Sequence, residues 1–161
     1  MTTIAASLTH RQMAADSRCS DGNLHFQVTK IHVHNSTLVG VAGDWGHCLR
    51  FINYLKAKEA LDLEVDADFD ALQLTENGIY AWDAATLTRF IVKDQFMAIG
   101  SGALAALGAM EMGASPEEAI RIAAKYDPDT AAPIDVYTLP VKKKKLKEKL
   151  VEAFSTVGET Q

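Results

Sequence analysis

The second residue of the chain is the first whose chemistry stands out. Met1 precedes Thr2, and an initiator methionine is usually trimmed from in front of a residue as small as threonine. Trimming exposes a residue that carries both a hydroxyl and a free α-amine. With an unperturbed pKa of about 7.7–8.0, a useful fraction of that amine is unprotonated at neutral pH and can accept the hydroxyl proton, directly or through water. One residue then supplies nucleophile and base. Other chemistries fit the sequence less well. Asp66, Asp68 and Asp70 alternate as in a calcium loop, but Ala71 and Asn77 stand where an EF-hand requires glycine and a bidentate glutamate. His10, His25, His32, His34 and His47 lack the HExxH arrangement, and no pair has a third ligand in reach, which argues against a zinc hydrolase. Neither metal nor cofactor is expected. Cys19 and Cys48 are too few and too far apart for a disulfide framework, which points to a reducing, cytoplasmic setting.

The elements that must position Thr2 can be read from pattern. Residues 3–8 and 12–16 predict two short strands joined around Thr9, His10 and Arg11, a hairpin that starts at the first residues. After the Asp21-Gly22-Asn23 turn, Phe26, Val28, Ile31 and Val33 predict strand, and residues 37–42 (TLVGVA) another. Gly43-Asp44-Trp45-Gly46 breaks the pattern, and Leu49, Ile52 and Leu55 recur at helical spacing to about Ala60. A second hairpin is predicted from residues 72–75 and 79–82 around Asn77-Gly78. Residues 96–99 predict a strand ending in Gly100-Ser101-Gly102, and residues 103–112 a helix rich in Ala, Leu and Met. Ser115, Pro116, Glu117 and Glu118 place a cap, an N1 proline and two acids at the start of another helix, which runs to about Lys125. Residues 134–139 predict a last strand. These elements make a single α+β domain, and periodicity alone leaves an αββα sandwich and other α+β layers open.

Several segments in order carry a family likeness. Thr2-Thr3-Ile4, Ala14-Ala15-Asp16-Ser17-Arg18, Val28-Thr29-Lys30-Ile31, Val41-Ala42-Gly43, Ala98-Ile99-Gly100-Ser101-Gly102 and Ile134-Asp135-Val136 together resemble the β-subunits of the proteasome and their bacterial relative, the HslV peptidase. The resemblance extends to Leu139 and implies a four-layer αββα sandwich of the N-terminal-nucleophile hydrolase type. It implies that Thr2 is the nucleophile and that Lys30 is a buried lysine keeping the neighbouring hydroxyl and amine reactive. Asp16 would be the carboxylate that orients Lys30, Gly43 the residue whose N–H faces the oxyanion, and Ser101 a serine beside the nucleophile's amine. Asp127 and Thr130 would stand for the family's aspartate and serine of the last loop. Cys19, Val28, His32, Val41, Trp45 and Leu49 would line the substrate pocket. Trp45 replaces something small; it either partly fills the pocket and restricts cleavage to small side chains, or packs in the core or an interface.

The chain departs from the family in two places. Ala131 and Ala132 replace glycines of the last loop, flanked by Pro128 and Pro133, and the stretch between Gly43 and Gly100 is shorter by roughly one helix. The shortened stretch carries the acids Glu64, Asp66, Asp68 and Asp70 and implies a reduced helical layer. The resemblance implies a homo-oligomeric ring acting on polypeptides, and the chain has no GxxxxGK[ST], so energy for unfolding them would come from a separate ATPase. A net charge of -5 and no run of about 18 apolar residues point away from nucleic acid and membrane as partners. The expected division is a domain over residues 1–139 and a tail over residues 140–161. In that tail Lys142, Lys143, Lys144, Lys145, Lys147 and Lys149 accompany Leu146, Leu150, Val151 and Phe154, either as an amphipathic helix that docks on an acidic partner or as a solvated tail. Besides a threonine endopeptidase, two functions stay open: an inactive ring or assembly subunit, and an amidohydrolase of the same terminal chemistry that is not a peptidase.

Overall fold

A computed structural model of the chain describes residues 2–57 and 67–140. The removal of Met1, the acids Glu64 and Asp66, and the lysine-rich tail beyond Pro140 lie outside the described residues.

Two sheets face each other, and what decides their pairing is a period-2 division of apolar side chains. The first sheet has strand order β10-β1-β2-β11, with β1 at Thr3–Ser7, β2 at Gln12–Asp16, β10 at Phe96–Gly100 and β11 at Ile134–Thr138. The second runs β5-β6-β7-β8-β9, with β5 at Ile31–His34, β6 at Thr37–Gly43, β7 at Phe69–Thr75, β8 at Gly78–Trp82 and β9 at Arg89–Val92. Ile4, Ala6, Met13 and Ala15 point from the first sheet into a shared core with Leu38, Leu72, Leu74 and Ile79 of the second. Their alternate neighbours point the other way. Ala5, Ala14 and Ala98 meet Ala106, Ala109, Met110, Ala119, Ile120 and Ala123 of α2 (Ala103–Glu111) and α3 (Pro116–Tyr126). On the far side Val39, Val41, Phe69 and Ala71 meet Cys48, Phe51 and Ile52 of α1 (Trp45–Ala57). Three apolar interfaces thus separate four layers, the αββα sandwich. Among the described residues the α1 layer holds a single helix, in keeping with the shortened stretch before β10.

Both sheets are covered on two faces, so β1 and β2 are buried nearly throughout. The predicted helix after Gly43 starts earlier than its apolar spacing indicates. Asp44 caps it, its carboxylate accepting the His47 N–H at 3.0 Å and its carbonyl that of Cys48 at 2.9 Å, so Trp45 is the first helical residue. For α3 the expected start is found in full, with a reciprocal Ser115–Glu118 capping box and Pro116 in the first turn.

Two strands escape the sequence pattern. β3 (Arg18–Asp21) pairs with β4 (Leu24–Gln27) in a separate two-stranded ribbon, and β9 is an edge strand exposed along most of its length. Neither has an alternating buried face, the only signal by which a short strand announces itself. The run from Phe26 to Val33 is accordingly divided: Phe26 belongs to the ribbon and Ile31 opens β5 of the second sheet.

Candidate active site

Thr2 enters β1 and is nearly buried, with 8% of its surface exposed. Its carbonyl accepts the N–H of Ser101 at 2.9 Å, tying the start of the chain to the turn after β10. That turn needs glycine at position 100. The residue sits at φ +93°, and a β-carbon there would collide with the Thr2 carbonyl.

Asp16, at the end of β2, lies beside the same start because β1 and β2 pair through Ile4 and Ala15. Its carboxylate is fully buried and takes the N–H of Thr3 at 2.9 Å and the ammonium of Lys30 at 3.0 Å. Lys30 is 1% exposed and also donates to the carbonyl of Arg18 at 2.6 Å. An ammonium has three donors, and these two bonds leave one without an acceptor among the described residues. Burial holds the Lys30 pKa below its ordinary value, and the charge of Asp16 only partly offsets it. A buried lysine kept beside a single carboxylate is expensive to fold around, since each charge must be stripped of water.

A second network starts one residue on. Gly102 donates its N–H to the Thr3 hydroxyl at 2.9 Å, and the Thr3 and Thr130 hydroxyls lie 2.5 Å apart. Thr130 donates in turn to Asp127, which also receives the Ser101 hydroxyl at 2.6 Å. Each hydroxyl has one proton, so the bonds have a direction: Gly102 to Thr3, Thr3 to Thr130, Thr130 to Asp127. Burial pushes the Asp127 carboxyl up, but the bonds from Ser101 and Thr130 outweigh it and hold the group below the usual carboxylate range. Despite the alanines in this loop, the Ala131 N–H reaches the second Asp16 oxygen at 3.5 Å, and the Ser17 N–H and hydroxyl both donate to the Pro133 carbonyl. Ala131 and Ala132 therefore stand in a loop that still packs against Asp16.

Lys30 of the first network borders a cavity of about 350 Å³ lined by Thr2, Cys19, Ser20, Phe26, Lys30, Gly43, Asp44 and Trp45. Gly43 sits at φ +119°, with the backbone of Asp68 and Phe69 so close that a β-carbon would overlap it. Of the residues expected to line a pocket, Cys19 and Trp45 do so. Trp45 also packs on the α1 core. Val28, His32, Val41 and Leu49 are not among the lining residues. Val41 points from β6 into the α1 interface, and Leu49 lies 42% exposed on α1. His32 faces that helical layer, where burial and the nearby Lys56 lower its pKa, and its Nε2 has no hydrogen-bond partner among the described residues. Period 2 accounts for His32 and Val41, since adjacent β residues face opposite layers and these two face α1, whereas Val28 lies between strands and Leu49 on α1.

Sequence reasoning passed over Thr3, Phe26 and the Arg18 carbonyl. Thr3 had a signal: on β1 it alternates with Ile4, so its hydroxyl must face the α2 and α3 side. Phe26 had none, because the ribbon that carries it has no pattern.

Comparison with solved structures places the fold. Thiobacillus denitrificans BPH, solved in complex with epoxomicin, superposes with a TM-score of 0.66 at 21% identity over 87% of this chain and 100% of its own. Another structure of BPH gives 0.59 at 20% identity, covering 86% of this chain and 98% of that one. Eukaryotic HslV from Trypanosoma brucei gives 0.66 at 19% identity over 87% and 100%. The fold is that of HslV. No family model matches the sequence, and no curated protein matches it. The fold is thus shared with these structures at about 20% identity. Among the described residues no helix is long and apolar enough to cross a membrane.

Proposed function

We propose that the chain is a threonine-type peptidase subunit of an HslV-like, cytoplasmic oligomer, with Thr2 as nucleophile once Met1 is removed. The observation that carries this reading is the buried Lys30–Asp16 pair, exposed at 1% and 0%, whose lysine lines the same cavity as Thr2. A pair of this kind contributes little to stability compared with apolar residues of the same volume, so its place at a cavity argues for chemistry.

In the proposed reaction the Thr2 hydroxyl oxygen attacks the carbonyl carbon of a peptide held in the cavity, and its proton passes to the α-amine. The Lys30 ammonium, with one donor uncommitted, favours the developing alkoxide by charge at short range and low dielectric. Gly43 supplies an N–H to the oxyanion, its missing side chain letting the backbone of Asp68 and Phe69 pack against it. The protonated α-amine then gives its proton to the departing amine, leaving an ester on Thr2 that water hydrolyses. With Met1 in place the Thr2 nitrogen is an amide and cannot act as a base. Asp127, Ser101 and Thr130 hold the Thr2 backbone and the last loop in register. The subunits would form a ring that encloses the cavities, and a separate ATPase would deliver unfolded chains.

The test is turnover of a short peptidyl reporter amide by protein whose N-terminus is shown by intact mass to be Thr2. Cleavage is expected, with Thr2→Ala lowering kcat/KM by at least ~10³-fold while the circular dichroism spectrum is kept. Folded, processed protein that leaves every reporter intact would favour the inactive subunit instead.

A further inference from the structure

β1 turns alternate residues toward the α2 and α3 layer, where Ala5, Ala14 and Ala98 meet Ala106, Ala109, Ala119 and Ala123. Thr3 lies on that side at 0% exposure. A hydroxyl buried on an apolar face costs free energy unless it is bonded, and valine has the same shape without that cost. The Thr3 hydroxyl is bonded twice. It takes the Gly102 N–H at 2.9 Å and lies 2.5 Å from the Thr130 hydroxyl. The Thr3 N–H stands beyond the β1–β2 ladder, which begins at Ile4 and Ala15, and it goes to the same Asp16 oxygen that holds Lys30. Thr3 is thus the residue at which the Lys30–Asp16 pair and the Asp127 network meet.

Gly102 is fitted to this junction. Its φ of -89° is negative and open to other residues, so backbone conformation does not demand glycine there. Space does. A β-carbon at 102 would stand 2.5 Å from the Thr3 Oγ1 and 3.0 Å from the Thr130 Oγ1. Helix α2 has no side-chain cap of its own, and the Thr3 hydroxyl instead takes the N–H of its N-cap residue from the neighbouring sheet. Thr2 is held more sparingly. Its carbonyl takes the Ser101 N–H at 2.9 Å, and among the described residues its hydroxyl has no hydrogen-bond partner. The reacting oxygen is left free, so its direction is set by the anchored residue that follows it.

We infer that Thr3 is a positioning residue: its hydroxyl locks the start of β1 to α2 and to the last loop, and so aims the Thr2 hydroxyl beside Lys30. The inference rests on the peptidase reading of Thr2. Thr3 exchanges no proton with substrate. Removing its hydroxyl frees the start of β1 to shift, while the N–H of residue 3 still reaches Asp16 and Lys30 keeps its partner.

The test compares wild type, Thr3→Val and Thr3→Ser, each shown by intact mass to begin at Thr2, on a short peptidyl reporter and on an electrophilic peptide. Thr3→Val is expected to lower kcat by about 10–100-fold, since small misplacements of a reacting group have effects of that order. KM should stay within about 2-fold, and both limbs of the pH profile should stay where wild type has them. The valine variant should still take one electrophile per chain, only more slowly, and Thr3→Ser should recover kcat to within about 3-fold of wild type. An adduct count that falls in step with kcat would overturn the inference in favour of a hydroxyl needed only for folding. Thr3→Ser as slow as Thr3→Val would overturn it in favour of methyl packing. Active wild type beside an equally active Thr3→Val would remove the positioning role alone, whereas wild type that neither cleaves nor is labelled would remove the peptidase reading and this role with it.

Discussion

A lysine has little reason to be buried against one aspartate unless its charge is used, and this frames the behaviour expected of single residues. Lys30→Met leaves Asp16 charged, buried and unpaired, and should lower unfolding free energy by about 3–5 kcal/mol in urea titrations. Thr2→Ala removes no such partner and should leave stability almost unchanged while ending turnover. The two variants thus separate structural from chemical loss. The same pair sets the pH profile. The α-amine of processed Thr2 must be neutral to act as base, so kcat/KM should rise with pH through about 8. Lys30 must stay charged, and because burial lowers its pKa from 10.5, the falling limb should lie below that value. A profile still rising at pH 10.5 would show that the Lys30 charge is not needed. Trp45 borders the cavity from the first turn of α1. Trp45→Ala should raise kcat/KM for reporters with large side chains before the scissile bond relative to those with alanine, measured as a ratio between the two.

Strands and turns hold these groups in place, and the relay from Gly102 through Thr3 and Thr130 to Asp127 is the clearest case. Thr130→Val keeps the shape but removes the proton that Asp127 receives. It should cost about 1–3 kcal/mol of stability and lower kcat more than it raises KM, because the loop against Asp16 loosens. This scale also separates what the sequence discloses from what it hides. The β1–β2 hairpin, the strand–glycine–helix unit at Gly100 and the capped start of α3 were legible because each has a periodic apolar face or a turn residue with a steric duty. Lys30 and Asp16 were found through family likeness, since a lysine in an extended segment is equally at home in water. β3, β9 and Phe26 were hidden because exposed ribbons and edges need no periodic burial. The pocket positions Val28, His32, Val41 and Leu49 were implied by the family likeness alone; His32 and Val41 fall on strand faces turned to α1, Val28 between strands and Leu49 on α1.

At the scale of the molecule, three apolar interfaces make the four layers one cooperative unit. Phe51 ties α1 to the second sheet, with its ring 4.9 Å from that of Phe69 and 5.1 Å from that of Trp82. With a single helix described on that side, Phe51→Ala should cost about 3–5 kcal/mol, seen as an earlier thermal transition and as loosening of the turn at Gly43 in hydrogen exchange. The proposed ring belongs to this scale as well, and if it forms, light scattering of the processed chain should report a mass several times that of one 17.5 kDa protomer. The central claim is the identity of the nucleophile, and mass mapping of a covalent adduct tests it most directly. Chain confirmed to begin at Thr2 is incubated with an electrophilic peptide and digested. The account predicts one adduct per chain, on the peptide that starts with Thr2 and missing from Thr2→Ala; complete Met1 removal with no adduct, or with one on Cys19 alone, would contradict it.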